Sequence, residues 1–447
     1  MSNSSLSISA IKNITRKYLK YTGNITLPSA FDWFTHSVGL SLRSGYTSFD
    51  IYQFKPTGKQ YFVRHTGGSD ANDGLTYGTA YSSITKALQQ VDVDEIILQP
   101  GDYNRYKAAI GNHTLTRDIA ITVLGNGKAR LLGSAPDLVW TLTGGYSATY
   151  EAGIDINTLG EAVADESIID DLGDFLAHKH VNTIAECEAT PASWYSDGVK
   201  LYVHCFDDRQ PDTMIHAWRE TSFFFEGGAY SVWAKNIEFL GIQNVGCRGV
   251  IENVPPTFYG LNCKFKYSQS SGPPLGGGGG FRSEGAYTFL VNCEAARNRY
   301  DGFNYHKYTG VTPAINACQG LELNCIGRHN GTTALGNNNG STMHDAGSIL
   351  RIGGEYFENE GPNVVDVHTG TVSYNISPKA FDSRKAATSR NYEIGTGTMY
   401  LVGAESSGAS EFDLISSSGG VAYVYASNID VYNGAANDLI TFDPYFD

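Results

Sequence analysis

At 447 residues the chain exceeds an ordinary single domain, so it holds two or three domains or one long repetitive body. Only 17% of residues are charged, while 51 Gly and 28 Tyr accompany many β-branched residues, a composition of many short strands rather than of helices or disorder. The net charge of −14 is uneven: residues 1–60 carry seven Lys/Arg against Asp32 and Asp50, a surplus of five, which leaves −19 on the remainder. So acidic a body argues against nucleic acid as a partner, because neutralising phosphates needs a basic face.

Residues 1–10 are polar and Ser-rich, with no apolar core of a secretory signal, and no run approaches 18 apolar residues, so membrane insertion is not expected. Seven cysteines, dispersed and without CxxC spacing, suit neither a disulfide framework nor a zinc site, and imply folding in a reducing cytoplasm. Ile8, Ile11, Ile14, Tyr18 and Leu19 sit among basic residues as a weak amphipathic pattern, either a solvated arm or an anchor on a larger assembly. The short aromatic runs at 31–34 and 49–52 suit a small β-rich adaptor or a strap lying on the main body. Residues 1–60 are therefore set apart as an N-terminal anchor segment.

The pattern changes at Tyr61. A strand at 61–64 leads into a dense Asx/Gly turn, Gly68-Ser69-Asp70-Ala71-Asn72-Asp73-Gly74, then a short helix through Ile84-Thr85-Lys86-Ala87-Leu88 with Ser82 or Ser83 as N-cap. The strand Glu95-Ile96-Ile97-Leu98 follows, closed by Gln99-Pro100-Gly101-Asp102-Tyr103. This succession resembles the opening coil of the pectate-lyase-like right-handed parallel β-helix superfamily, in which the short helix plugs the open end of the stack. Asp70 and Asp73 could hold a structural cation, but acidic turn residues are more often plain turn chemistry, and no cofactor is expected.

Residues 130–220 are less regular and read as an insertion or an irregular pair of coils. Two β-rich runs around Asp197-Gly198 mark a hairpin, and the acidic stretch from Asp165 to Leu176 reads as a solvated loop or short helix. From 231 a repeat emerges. A strand, an Asn and then a small or apolar residue recur at Asn236, Asn262, Asn292, Asn324 and Asn428, with Gly353, Gly403 and a weaker echo at Asn375 in equivalent places. Cys263, Cys293 and Cys325 become an interior stack, and the Asn residues a ladder of amide hydrogen bonds at one corner. The fold expected is all-β: an anchor at 1–60, a parallel β-helix body at 61–391, and β coils or a cap at 392–447.

The same register aligns a following strand. Arg282, Glu284, Asn304, His306, Thr342, His344, Asp366 and His368 alternate with Phe281, Phe303, Tyr305, Met343, Val365 and Val367, so the first set is expected to face outward as one stripe. Asp301 and Asp345 overhang it from the turns, the latter provided that its strand ends at His344. The Gly-rich loop at 272–280 and the Asn-rich run at 337–340 flank the stripe as binding loops. Asp366, Asp345, Asp301, His344 and Glu284 are the catalytic candidates. Arg282, Asn304, Thr342, His306, His368, Tyr305 and Arg351 are the substrate-binding ones, and no catalytic metal is expected.

Glycoside hydrolysis needs two carboxyl groups, about 5–5.5 Å apart for retention or about 6.5–9.5 Å for inversion. On a rise of about 4.8 Å per coil, Asp345 with Asp366 could meet the first spacing, and Asp301 with Asp366, two coils apart and near 10 Å, comes close to the second. A His base beside Arg282 or Arg351 would instead serve a lyase or epimerase on a uronate. The organisation, a basic segment before an acidic β-helix, looks most like a bacteriophage tailspike or tail-fibre depolymerase. That resemblance implies a homotrimer attached to tail proteins through residues 1–60. It also implies binding and hydrolysis of host O-antigen, capsule or exopolysaccharide, and a virion location after folding in the host cytoplasm. The alternative is a receptor-binding spike without catalysis.

Overall fold

The computed structural model describes residues 29–32, 41–43, 46–104, 113–125, 127–135, 138–154, 162–218, 222–249, 255–269, 279–308, 317–332, 338–384, 389–425, 427–429, 432–433 and 439–442. The amphipathic pattern at Ile8–Leu19 and the glycines at 272–278 lie outside them. Three parallel sheets of twelve, nine and ten strands share one axis, and the chain visits them in turn as a right-handed parallel β-helix of about eleven turns. Each coil alone could not bury its inner face; stacked, the coils enclose one continuous core from Tyr61 to Val424. Like side chains sit above one another, as with Phe239 on Phe265 at 5.4 Å and Phe357 on Phe381 at 4.8 Å between ring centres.

The repeat in the sequence is the corner between the twelve- and nine-stranded sheets. Asn236, Asn262, Asn292 and Asn324 each turn the chain there with φ between 51° and 59°, a left-handed conformation that Asn and Gly tolerate best. Gly353 and Gly403, both at φ 61°, do the same. The amide ladder is present: Asn262 Nδ2 donates to Asn236 Oδ1 at 3.2 Å and Asn292 Nδ2 to Asn262 Oδ1 at 3.3 Å. Inside each corner Cys263, Cys293 and Cys325 are fully enclosed, as the stack requires. Two anchors need correction. The corner after Gly353 is Ser377 (φ 53°), two residues beyond Asn375, and Asn428 pairs with Glu405, two residues past the corner that Gly403 makes.

The first strand of the stack is Gln60–Val63 and its neighbour is Glu95–Leu98. The helix Ile84–Leu88 is capped by the Ser83 side chain, which accepts from Lys86 N, and turns Ile84 and Ala87 into the core. Asp70 accepts from Ser82 N, Ser83 N and Ser83 Oγ, and Asp73 accepts from Leu75 N and Thr79 Oγ1. These carboxylates serve the turn and the helix start. Against the outer face of the twelve-stranded sheet lie Phe31, Phe49, Ile51 and Phe54, with Phe54 stacked on Tyr259 at 5.0 Å and Trp233 Nε1 donating to Ile51 O.

Between the strands Ala129–Leu132 and Ser222–Gly227 the chain leaves the stack to form a mixed sheet of five strands and an antiparallel one of three, with their own core around Trp140, Trp194 and Val203. The hairpin Ser193–Ser196 with Leu201–His204 is among them. The acidic stretch is not a solvated loop: Val163–Ile169 is a strand, and Asp165 and Asp174 are wholly buried. Asp174 meets Lys266, Arg297, Arg328 and His329 of the nine-stranded side and so fastens the insertion to the β-helix. Burial pushes its carboxyl up, but His329, Arg328 and Lys266 overrule that and hold it far below the carboxylate range.

Candidate functional site

The ten-stranded sheet carries the polar stripe. Phe281–Glu284 pairs with Phe303–His306, which pairs with Ser341–Met343, which pairs with Val364–Asp366. The register sets Arg282 beside Asn304 and Thr342, and Glu284 beside His306 with His344 above it. These six point outward, as alternation predicts. Two residues the sequence reading passed over extend the row: Arg248 lies next to Glu284, and Glu226 next to Arg248, to which it is ion-paired. Arg282 Nε donates to Glu284 Oε1 at 2.6 Å, and Arg248 lies 3.9 Å from the other oxygen.

The expected stripe slips by one residue at its last strand. Asp366 aligns with Met343 and Tyr305, not with Thr342, so it points into the cylinder, and Val365 takes the outward place. There Asp366 meets Arg351 at 2.9 Å, with neither side chain exposed to solvent. Arg351 comes from the inner face of the twelve-stranded sheet, and Tyr305 is fully buried with its hydroxyl donating to Glu322. Asp366, Arg351 and Tyr305 are thus core residues, withdrawn from any groove. A buried aspartate is tolerable because a guanidinium faces it, and that partner sits 15 residues away on another sheet.

At one end of the stripe three imidazoles gather. His344 lies between His306, ring centres 4.0 Å apart, and His368, 5.4 Å apart. The strand ends at Met343, and Asp345 turns with φ 59°, which brings its carboxylate to the histidines. Asp345 Oδ2 is 3.2 Å from His306 Nδ1 and Oδ1 is 2.8 Å from His368 Nδ1. The hydrogen bond to His306 holds the Asp345 carboxyl well below its usual range. Burial, then the neighbouring His306, pushes His344 down to about 2, and burial also lowers His306. These two rings are neutral at ordinary pH and can accept a proton or a hydrogen bond. Among the described residues no group of three or more His, Cys, Asp or Glu is placed to hold a metal ion.

At the other end, Asp301 is half-buried beside Asn304 and Asn339. Its Oδ2 accepts from Asn304 Nδ2 at 2.6 Å; its Oδ1 accepts from Asn339 N at 2.8 Å and Nδ2 at 3.1 Å. Burial pushes this carboxyl up to about 6, against the lowering pull of Asn339 and Arg282. Asn339 also donates to Thr342 Oγ1, which is outward-facing yet covered. Asn339 belongs to the Asn-rich run that the sequence marks only as a flanking loop; nothing in its spacing ties it to Asp301.

No family model matches the chain. No curated protein matches it either. Among solved structures, one described as a glycoside hydrolase aligns with a TM-score of 0.56 at 10% identity, over 86% of this chain and 95% of its own. The structure of XylC with xylose aligns at 0.48 and 11% identity, over 82% of this chain and 65% of its own. The receptor-binding domain of the siphovirus 9NA tailspike aligns at 0.31 and 12% identity, over 81% and 75%. The first alignment establishes a shared fold. This chain is therefore a parallel β-helix of that architecture, with an outward row of carboxyl, guanidinium and imidazole groups along its ten-stranded sheet.

Proposed function

We propose that this chain binds a polysaccharide along the ten-stranded sheet and cleaves it by glycoside hydrolysis, with Asp301 as general acid and Glu284 as general base. The observation that carries this reading is the contrast between the two carboxyls. Asp301 has its affinity for the proton raised by burial to about 6, whereas Glu284 lies against Arg282 and Arg248. A carboxyl that burial keeps protonated and a second one faced by guanidinium groups suit the acid and the base of a glycosidase. Asp301 is bonded to Asn304, and Glu284 lies one coil across and two residues along from Asn304. With strand spacing of about 4.8 Å and about 3.4 Å per residue, the backbones of Asn304 and Glu284 are about 8 Å apart. Asp301 reaches from Asn304 toward Asn339, the side away from Glu284, so the two carboxyls stand too far apart for a retaining pair and suit inversion.

In the reaction Asp301 gives its proton to the glycosidic oxygen as the bond to the anomeric carbon breaks. Glu284 takes a proton from the water that attacks that carbon from the opposite face. The leaving sugar departs as an alcohol and the new reducing end has inverted configuration. Asn304, His306 and the neutral His344 are the hydrogen-bonding partners for sugar hydroxyls. A tailspike setting, with residues 1–60 as virion anchor and a homotrimer, is the context we infer from the basic segment ahead of the acidic β-helix. Tetramers or monomers by light scattering of the full chain would count against it.

A second reading is β-elimination, favoured by one observation: neutral imidazoles stand next to the Arg282–Glu284 row. There a histidine would take the proton beside a uronate carboxylate. Digesting a panel of bacterial surface glycans separates the two, since hydrolysis yields saturated reducing ends and elimination yields an unsaturated uronate. Absence of either product from every glycan would leave a binding spike.

A further inference from the structure

The interior of the β-helix is apolar along most of its length and ionic over a few coils. At one inward position of the twelve-stranded sheet the residues are Ala234, Gly260 and Leu290, then Glu322, Arg351 and Asn375, then Leu401 and Val424. The three polar residues lie beneath the strands that carry the outward polar row. Glu322 accepts from the hydroxyls of Tyr305 (2.9 Å), Ser341 (2.7 Å) and Tyr356 (2.5 Å). Arg351 donates to Ser341 Oγ (2.9 Å), to both oxygens of Asp366 (2.9 and 3.0 Å) and to Asn375 Oδ1 (3.1 Å). Every one of these side chains is shielded from solvent.

A buried ion pair is a weak device for stability, since apolar side chains of similar volume often serve as well or better. Its confinement to these coils calls for another reason, and the contacts supply one. Tyr305 lies between Asn304 and His306, and Ser341 precedes Thr342. Asp366 Oδ1 accepts from the backbone N of Met343, the residue before His344. Three successive strands of the ten-stranded sheet are thus gripped from inside at residues adjacent to the outward polar ones. We propose that Glu322, Arg351 and Asp366 are positioning residues, an internal brace that fixes the register and spacing of the strands presenting Asn304, His306, Thr342 and His344. They touch no substrate. The proposal rests on the outward polar row being the working site, but the brace itself can be read without any substrate.

The test replaces the brace by apolar or neutral groups of similar size, Glu322→Gln with Arg351→Met and Asp366→Leu in one chain, and follows the histidine rings by long-range 1H–15N NMR on the full chain. His344 is faced by His306, His368, Asp345 and Arg282, all left intact. In the native protein burial and the neighbouring His306 hold His344 well below the ordinary 6.5. In the brace-free protein, still folded by circular dichroism, its titration midpoint is expected to rise by at least about one pH unit as the rings loosen and hydrate. The milder Arg351→Lys, which keeps the charge but loses the fork, is expected to shift it in the same direction and covers the case in which the triple variant does not fold. An unchanged His344 midpoint in a folded variant would overturn the brace. Lost glycan cleavage with an unchanged midpoint would do so too, while an absence of cleavage in the native protein would count against the proposed function alone.

Discussion

Asp345 stands between His306 and His368, its two carboxylate oxygens 3.2 and 2.8 Å from their Nδ1 atoms. Two consequences for pH follow from this cluster. His306 and His344 have folded-state pKa values below the ordinary 6.5, so the unfolded chain binds more protons as pH falls through that value. Asp345 is depressed, so the stability it contributes is present above the unfolded carboxylate range near pH 4 and is lost below it. Stability is therefore expected to fall on acidification, first from about pH 6.5 and again below about pH 4. His344→Phe should remove part of the first slope, on the order of 2 kcal/mol between pH 6.5 and 5. Urea midpoints measured across that range check this.

Asp301 has the opposite sign. A carboxyl raised to about 6 in the folded chain costs stability once pH exceeds the ordinary carboxylate value, a cost fully developed above pH 6. Asp301→Asn is expected to raise the melting temperature at pH 8, by roughly 1–2 kcal/mol of stability after screening is allowed for, and to lower cleavage by about 10²–10⁴-fold. Thermal scans at pH 4 and pH 8 separate the charge effect from packing, since the gain should vanish at pH 4.

Asp366→Ala removes one side of an ion pair with no solvent access and leaves Arg351 uncompensated. The expected loss is about 3–5 kcal/mol, far more than an outward-facing carboxylate would cost. Denaturant unfolding measures it, and a loss below about 1 kcal/mol would place Asp366 outside the core.

The fold was legible where the chain must do something that few residues can. A left-handed corner once per coil selects Asn236, Asn262, Asn292, Asn324, Gly353 and Gly403. A narrow inside position next to it selects Cys263, Cys293 and Cys325. The slip at Asp366 arose where Val364 and Val365 are equally apolar, so alternation has no preference between them. What decides is Arg351, on another sheet. Asp174 was misread for the same reason: its partners Lys266, Arg297, Arg328 and His329 come from the β-helix, and a cluster of acidic residues looks solvated until those partners are in place. Asp345 was legible, because Ala346-Gly347 after it announces the turn.

Asp174→Asn should loosen the insertion while sparing the stack. Hydrogen exchange is expected to accelerate through 163–217 while strands such as Tyr287–Val291 keep their protection. Uniform acceleration everywhere would show that the insertion is not a separately fastened unit.

The account turns on the carboxyl pair, and one measurement addresses it directly: reducing-end release from a surface polysaccharide that the native protein cleaves, compared with Asp301→Asn and Glu284→Gln. Both variants are expected to stay folded, to bind the glycan and to lose at least about 100-fold in cleavage, while the native product first appears with inverted anomeric configuration. Near-native cleavage by both variants, or a product of retained configuration, would contradict the assignment.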